Sequence, residues 1–511
     1  MPLEIGDASH AFELVIPAEI LGRIIELALP DPPSGFRWFL DKSHWPKPGE
    51  IERVHRLLML SLVSRFWRAV IISHASLWAS IQERRTGNQD FVNLCVERSK
   101  NAPLQMIDFT DCNWELLLRE SHRLVSLSLR TSENRDLGPP LHAPQLECFI
   151  MEFPSDRLHF SLSNSELSKV LGPDLPCLRR LWLRGISWSD RQFPGLTHLV
   201  LSSGEILGFA KRAGSLGRLL DFLRASIMLE VLVLDCIHPI SDRASKPCPV
   251  ELPRLQHFVM NEELDLRVIE DVVSLIKFPP TTTAHFNMYW HHTIRRPIFL
   301  DESYPKPCIL TDDTTISIVA GRQTKLDVFI YNHTYNFTIS IDQMATYAPL
   351  PLDLFIPVVD MTHIRELSIE IASEATKWRP YFFPQTSALR KLTISANTAR
   401  DCSHCFAAIH RGELPDLKTL CVYLRDVSGH LTTLFPLYQL VKQRKQEGRA
   451  LTNVFIGDER LKDAEPFKID KYVDVLEMDS TPSPFRNSST GSVFADVPDA
   501  LARWNWWGGF E

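Results

Sequence analysis

At 511 residues the chain exceeds what one ordinary globular core holds, so several domains or a repeat array are expected. Its 55 basic and 62 acidic residues leave a formal charge of −7, which offers no basic surplus for nucleic acid or an anionic membrane, while 44% hydrophobic and 10% aromatic residues fit a folded protein. The ten cysteines form no dense framework, no run of eighteen apolar residues exists, and Met1 is followed by neither a basic region nor an apolar core. Secretion and a membrane span are therefore not expected; reduced thiols, a cytoplasmic or nuclear location and chance sequons at Asn332, Asn336 and Asn487 are.

After a tail over 1–15, apolar residues at Ile16, Ile20, Ile24 and Ala28, with Leu21 and Ile25 alongside, predict a helix that has Pro17 in its first turn and ends near Leu29. Residues 30–50 are polar and Pro-rich, carry Phe36, Trp38, Phe39 and Trp45, and are expected to form a surface loop. Val54, Leu57, Leu58, Leu60, Leu62 and Val63 then run into Phe66, Trp67, Val70 and Ile71, which predicts two further short helices. Three helices this short bury little alone, so residues 16–82 read as a docking module.

Ile16-Pro17-x-Glu19-Ile20-Leu21, Val63-Ser64-Arg65-Phe66-Trp67-Arg68 and the later Leu77-Trp78 resemble the F-box. The junction over 83–103, with Glu97-Arg98-Ser99 and Ala102-Pro103-Leu104, is similar to one common in fungal F-box proteins. The resemblance implies a Skp-family adaptor bound through Pro17, Ile20, Leu21, Leu62 and Val63, with Trp67 and Trp78 packing the helices together. It also implies a cullin as partner through the complex.

From 104 to 479 a short pattern recurs, apolar at positions one, four and six, as in Leu124/Leu127/Leu129, Leu146/Phe149/Met151, Leu178/Leu181/Leu183, Leu196/Leu199/Leu201 and Leu389/Leu392/Ile394. Pro144, Pro176, Pro194, Pro253 and Pro415 stand two residues before five copies, where a strand begins. The pattern resembles the leucine-rich repeat, although spacing is irregular and only Asn397 holds the family's asparagine position. The expected fold is thus α+β and multidomain: a small all-α F-box-like helical module followed by an irregular α/β leucine-rich-repeat solenoid. Helices are expected over 215–225, 266–277 and 431–447, the last ending in Lys442, Arg444 and Lys445. Repeats are hard to read between 286 and 359, where three segments alternate like strands.

In such a solenoid the third, fifth and seventh positions face the concave side, which places Arg180, Trp182 and Arg184 on one exposed strip, with His198 and Ser202, Asp235, and His257 and Asn261 in the next ones. An exposed Trp between two Arg has the composition of a protein-binding hot spot, the alternative being a Trp182 covered by a loop or the tail. Cys402, His404 and Cys405 lack a second ligand pair, and His291-His292 stands alone, so neither metal nor cofactor is expected. No nucleophile elbow, phosphate-binding glycine loop or H-E-x-x-H helix occurs, which argues against an enzyme. Residues 480–511 read as a linker and a Trp-rich tail that caps or covers the repeats. The expected function is that of a substrate-receptor subunit of a cullin-type ubiquitin ligase, holding an unidentified target protein; the rival is a non-catalytic scaffold acting outside ubiquitination.

Overall fold

The computed structural model describes residues 16–29, 53–83, 89–110, 113–130, 139–152, 167, 170–172, 175–184, 192–202, 216–235, 237, 248–262, 272, 275–279, 281–290, 315–320, 325–331, 336–343, 364–371, 386–396, 402–424, 435–457 and 469–479. The insertion over 30–50, Asn332, Asn487, His291-His292, Asn397 and the Trp-rich tail lie outside them. The chain divides into two compact units, residues 1–213 with 497–511, and residues 214–496.

The first unit begins with helices α1 (Ala18–Ala28), α2 (Arg53–Leu60) and α3 (Arg65–Ser73), then a 3-10 turn over Ala75–Trp78. The chain runs directly into strand β1 (Ser80–Gln82), helix α4 (Gln89–Ser99), β2 (Leu104–Thr110), helix α5 (Trp114–Glu120) and β3 (Leu124–Arg130). Next come β4 (Cys148–Glu152), β5 (Arg180–Arg184) and β6 (His198–Ser202). Each strand lies parallel to its predecessor. The repeat sets the register: Leu127, Phe149, Leu181 and Leu199 are level, as are Leu129, Met151, Leu183 and Leu201, and all eight are buried.

In the second unit α6 (Leu216–Ala225) precedes β7 (Val231–Asp235), which pairs in parallel with β9 (His257–Glu262); β8 (Val250–Glu251) and β10 (Ile276–Lys277) form a separate parallel pair. β9 continues in parallel to β11 (Thr283–Trp290) and β11 to β14 (Asn336–Gln343). β12 (Thr315–Ala320) and β13 (Lys325–Tyr331) intervene as antiparallel strands. Parallel pairing then resumes from β12 through β15 (Glu366–Ile371), β16 (Lys391–Ala396), β17 (Thr419–Leu424), β18 (Asn453–Gly457) and β19 (Val475–Asp479). Helices α7 (Ser403–His410) and α8 (Phe435–Gln446) connect the later strands. Residues 276–277, which periodicity put in a helix, are extended in β10.

This architecture corrects the expected fold class. The molecule is α/β, dominated by parallel sheet, rather than a separate all-α module followed by a leucine-rich-repeat solenoid. The helices are not a module apart, because Ala79 accepts a hydrogen bond from the Gln105 amide at 2.9 Å and β1 extends the sheet at once. Nor is the second face of the strands bare in either unit: Ser126, Ser128, Ile150, Trp182 and Val200 in the first, and Val233, Asp235 and Val259 in the second, stand at the odd positions, and all are buried. The physical reason is visible in Phe149-Ile150-Met151, Leu181-Trp182-Leu183, Leu199-Val200-Leu201 and Leu232-Val233-Leu234. Such unbroken apolar runs suit strands covered on both faces, as in α/β layers.

Candidate docking surface

Helix α1 is apolar on two sides, and only one is covered. Leu21, Ile25 and Leu29, spaced by four, are buried, whereas Ile20 is 54% exposed, Ile24 46% and Leu27 71%. Successive helical residues are about 100° apart, which turns Leu21 to the covered side while Ile20 stays on the open one. Of the residues expected at the adaptor contact on α1, Leu21 is thus buried within the chain itself, while Pro17 and Ile20 are exposed.

Gly22 lets α1 approach the end of α3, since a Cβ there would sit 2.3 Å from the His74 ring. On the other side of this small core Leu57, Val70, Ile71 and Leu77 are buried. Between α2 and α3 the chain turns through residues 61–63, where the Ser61 hydroxyl donates to Leu58 O at 2.6 Å and Arg68 Nε donates to Ser61 O at 3.1 Å. Ser64 then caps α3, its hydroxyl accepting from the Trp67 amide at 3.2 Å. That turn leaves Leu62 65% and Val63 61% exposed, next to Leu58 and Met59, which are also exposed. Large apolar side chains left in water cost free energy unless something covers them.

Trp78 is buried, donates Nε1 to Ile71 O at 2.8 Å and lies under the Arg98 guanidinium, 4.5 Å from its ring centroid. Trp67 is only half-buried, so of the two tryptophans expected to pack the helices, Trp78 is the core residue. The junction is held by a residue that the sequence did not reveal. Arg123, itself buried, donates Nη1 to Ser99 Oγ and Ala102 O at 3.0 Å and Nη2 to Val96 O at 3.2 Å, and pairs with Glu120 at 2.8 Å. Burial tends to raise the Glu120 carboxyl, but hydrogen bonds from Arg119 and Arg123 outweigh it and hold that group below its usual range. Cys95, buried beside this junction on α4, has its thiol pushed up to about 12 by desolvation and is inert as a nucleophile.

The expected target strip is dispersed. Trp182 is 4% exposed, a covered residue rather than an open hot spot, and Arg180 is half-buried. Arg184 donates Nη1 to Glu152 Oε1 at 2.5 Å, and Glu152 Oε2 accepts from Arg130 Nη2 at 3.0 Å. Arg130 also stands 3.7 Å from Asp108, which a bulge in β2 and a φ of 56° swing out of the pleat. The result is a charged row across the carboxyl ends of β2 to β5, with Ser202 of β6 level with Arg184. His198 Nδ1 lies 2.9 Å from the Thr197 hydroxyl, and half-buried His257, in the second unit, has its pKa lowered by desolvation. Side-chain placement of Asn261 lies outside the described residues. Cys402 and Cys405 are buried, and burial followed by the neighbouring Cys402 raises the Cys405 thiol.

With the geometry in place, neither a scan against protein-family models nor a search of curated proteins finds a match to this chain.

Proposed function

We propose that the protein is a substrate-receptor subunit of a cullin-type ubiquitin ligase, using its F-box-like segment to bind a Skp-family adaptor. The observation that carries this reading is the uncovered apolar surface of that segment: Ile20, Ile24 and Leu27 on α1 and Leu62 and Val63 in the turn before α3. These include three of the positions that the resemblance assigns to adaptor contact. The sheet-bearing remainder carries the target, and the chain's contribution is positional, since tethering a target lysine near a charged ubiquitin carrier raises its effective concentration without bond chemistry here. Target contact falls to the partly exposed ends of Arg130 and Arg184, whose side chains are 26% and 21% accessible, in place of buried Trp182.

The test is affinity capture of the tagged full chain from cells with the proteasome blocked, followed by mass spectrometry. Adaptor and cullin are expected together in the captured material. Adaptor without cullin would favour a scaffold acting outside ubiquitination, and neither would refute the reading.

A further inference from the structure

The part of the uncovered apolar surface that belongs to α2, α3 and the turn between them has charged neighbours of one sign. From residue 53 to residue 78 the sequence holds Arg53, Arg56, Arg65 and Arg68 and no aspartate or glutamate, in a chain whose formal charge is −7. The fold makes little use of Arg56, Arg65 and Arg68. Arg56 and Arg65 are exposed and join no ion pair among the described residues, and Arg68 donates only Nε, to Ser61 O. The first turns of α2 and α3 contain no acidic residue to offset these cations. The positive end of the helix dipole makes such positions locally unfavourable for arginine. Cations kept where the helices disfavour them remain available to a partner.

We infer that the protein covering Ile20, Ile24, Leu27, Leu62 and Val63 presents an apolar patch with carboxylates on the side that meets α2 and α3, steered into place by Arg56, Arg65 and Arg68. This rests on the adaptor reading above and adds to it the chemistry of the partner's rim. A protein fits better than an anionic lipid surface, because α1, which supplies the largest exposed apolar face, carries Glu19 and Glu26 against a single basic residue, Arg23, already paired with Glu26 at 2.5 Å. A helix seated on anionic lipid carries a basic polar face instead.

The experiment uses the purified full chain, a purified Skp-family adaptor as probe, and the variant Arg56→Glu/Arg65→Glu. Carboxylates suit helix N-terminal turns, so the variant should melt at or above the wild-type temperature and remain a fair comparison. Its association rate constant at low salt should fall about tenfold, while its dissociation rate changes little. The difference should vanish in about 0.5 M salt, where exposed charges are screened within a few ångströms. Association indifferent both to the reversal and to salt would overturn the inference and leave the adaptor reading standing. Failure of the wild-type chain to bind adaptor at all would overturn both. Binding in that case to vesicles containing phosphatidylserine, lost in Arg56→Glu/Arg65→Glu, would assign the surface to lipid.

Discussion

Trp78 shows how one side chain ties the docking helices together. Its indole fills the space under the 3-10 turn, donates to Ile71 O and stacks beneath Arg98, so Trp78→Ala removes a large buried volume, one hydrogen bond and a cation–π contact at once. The expected loss is about 3–5 kcal/mol, read as a fall in the melting midpoint of the full chain. Trp67→Ala should cost at most about 2 kcal/mol, because only part of that indole leaves water. Equal losses at the two sites would contradict this division. From sequence the two tryptophans looked alike, since only tertiary packing distinguishes a first-turn residue beside cap Ser64 from one in the closing turn. For Trp182 the sequence left open and covered placements side by side. Alternation assigned it to an open face, whereas the adjacent leucines in Leu181-Trp182-Leu183 already carried the signature of a strand covered on both sides.

At the scale of elements, the junction between the helices and the sheet depends on α4 and on the turn that enters β3. Arg123 closes the carbonyl end of α4 and pairs with Glu120, so Arg123→Met leaves Val96 O and Ala102 O without their donor and Glu120 without its buried partner. A destabilisation of about 3–5 kcal/mol is expected, together with faster amide hydrogen exchange over α4. Unchanged exchange in that helix would argue that the clip is dispensable. This contact was not legible, because two of its four acceptors are backbone carbonyls 21 and 27 residues away, whose position no local pattern reports. The charged row was closer to the surface of the sequence. Arg130, Glu152 and Arg184 all occupy the seventh position of the repeat, and parallel in-register pairing makes them lateral neighbours of alternating sign. Helix α6 and strands β3 to β6 follow the apolar periodicity closely, while the bulge that turns Asp108 toward Arg130 has no such signal.

Over the whole molecule, the recurrent apolar pattern specified parallel strands and their register, and it did so in both units. It did not specify how the odd-numbered face would be covered, since that depends on segments distant in sequence rather than on the strands themselves. A repeat with an open concave side and an α/β layer buried on both faces share the same leucines; they differ at Ile150, Trp182, Val200 and Val233. Most of the large apolar side chains left in water among the described residues lie instead on the helices at the start of the first unit and the turn between them, and the account of function stands on that contrast. The most direct measurement is the affinity of the purified full chain for a purified Skp-family adaptor, compared with Leu62→Asp/Val63→Asp. Both residues are exposed and unneeded by the core, so the variant should keep the wild-type melting midpoint. It should nevertheless lose at least about a hundredfold in affinity, because desolvating unpaired carboxylates costs several kcal/mol. Wild-type affinity in a folded Leu62→Asp/Val63→Asp chain would contradict the assignment of this surface.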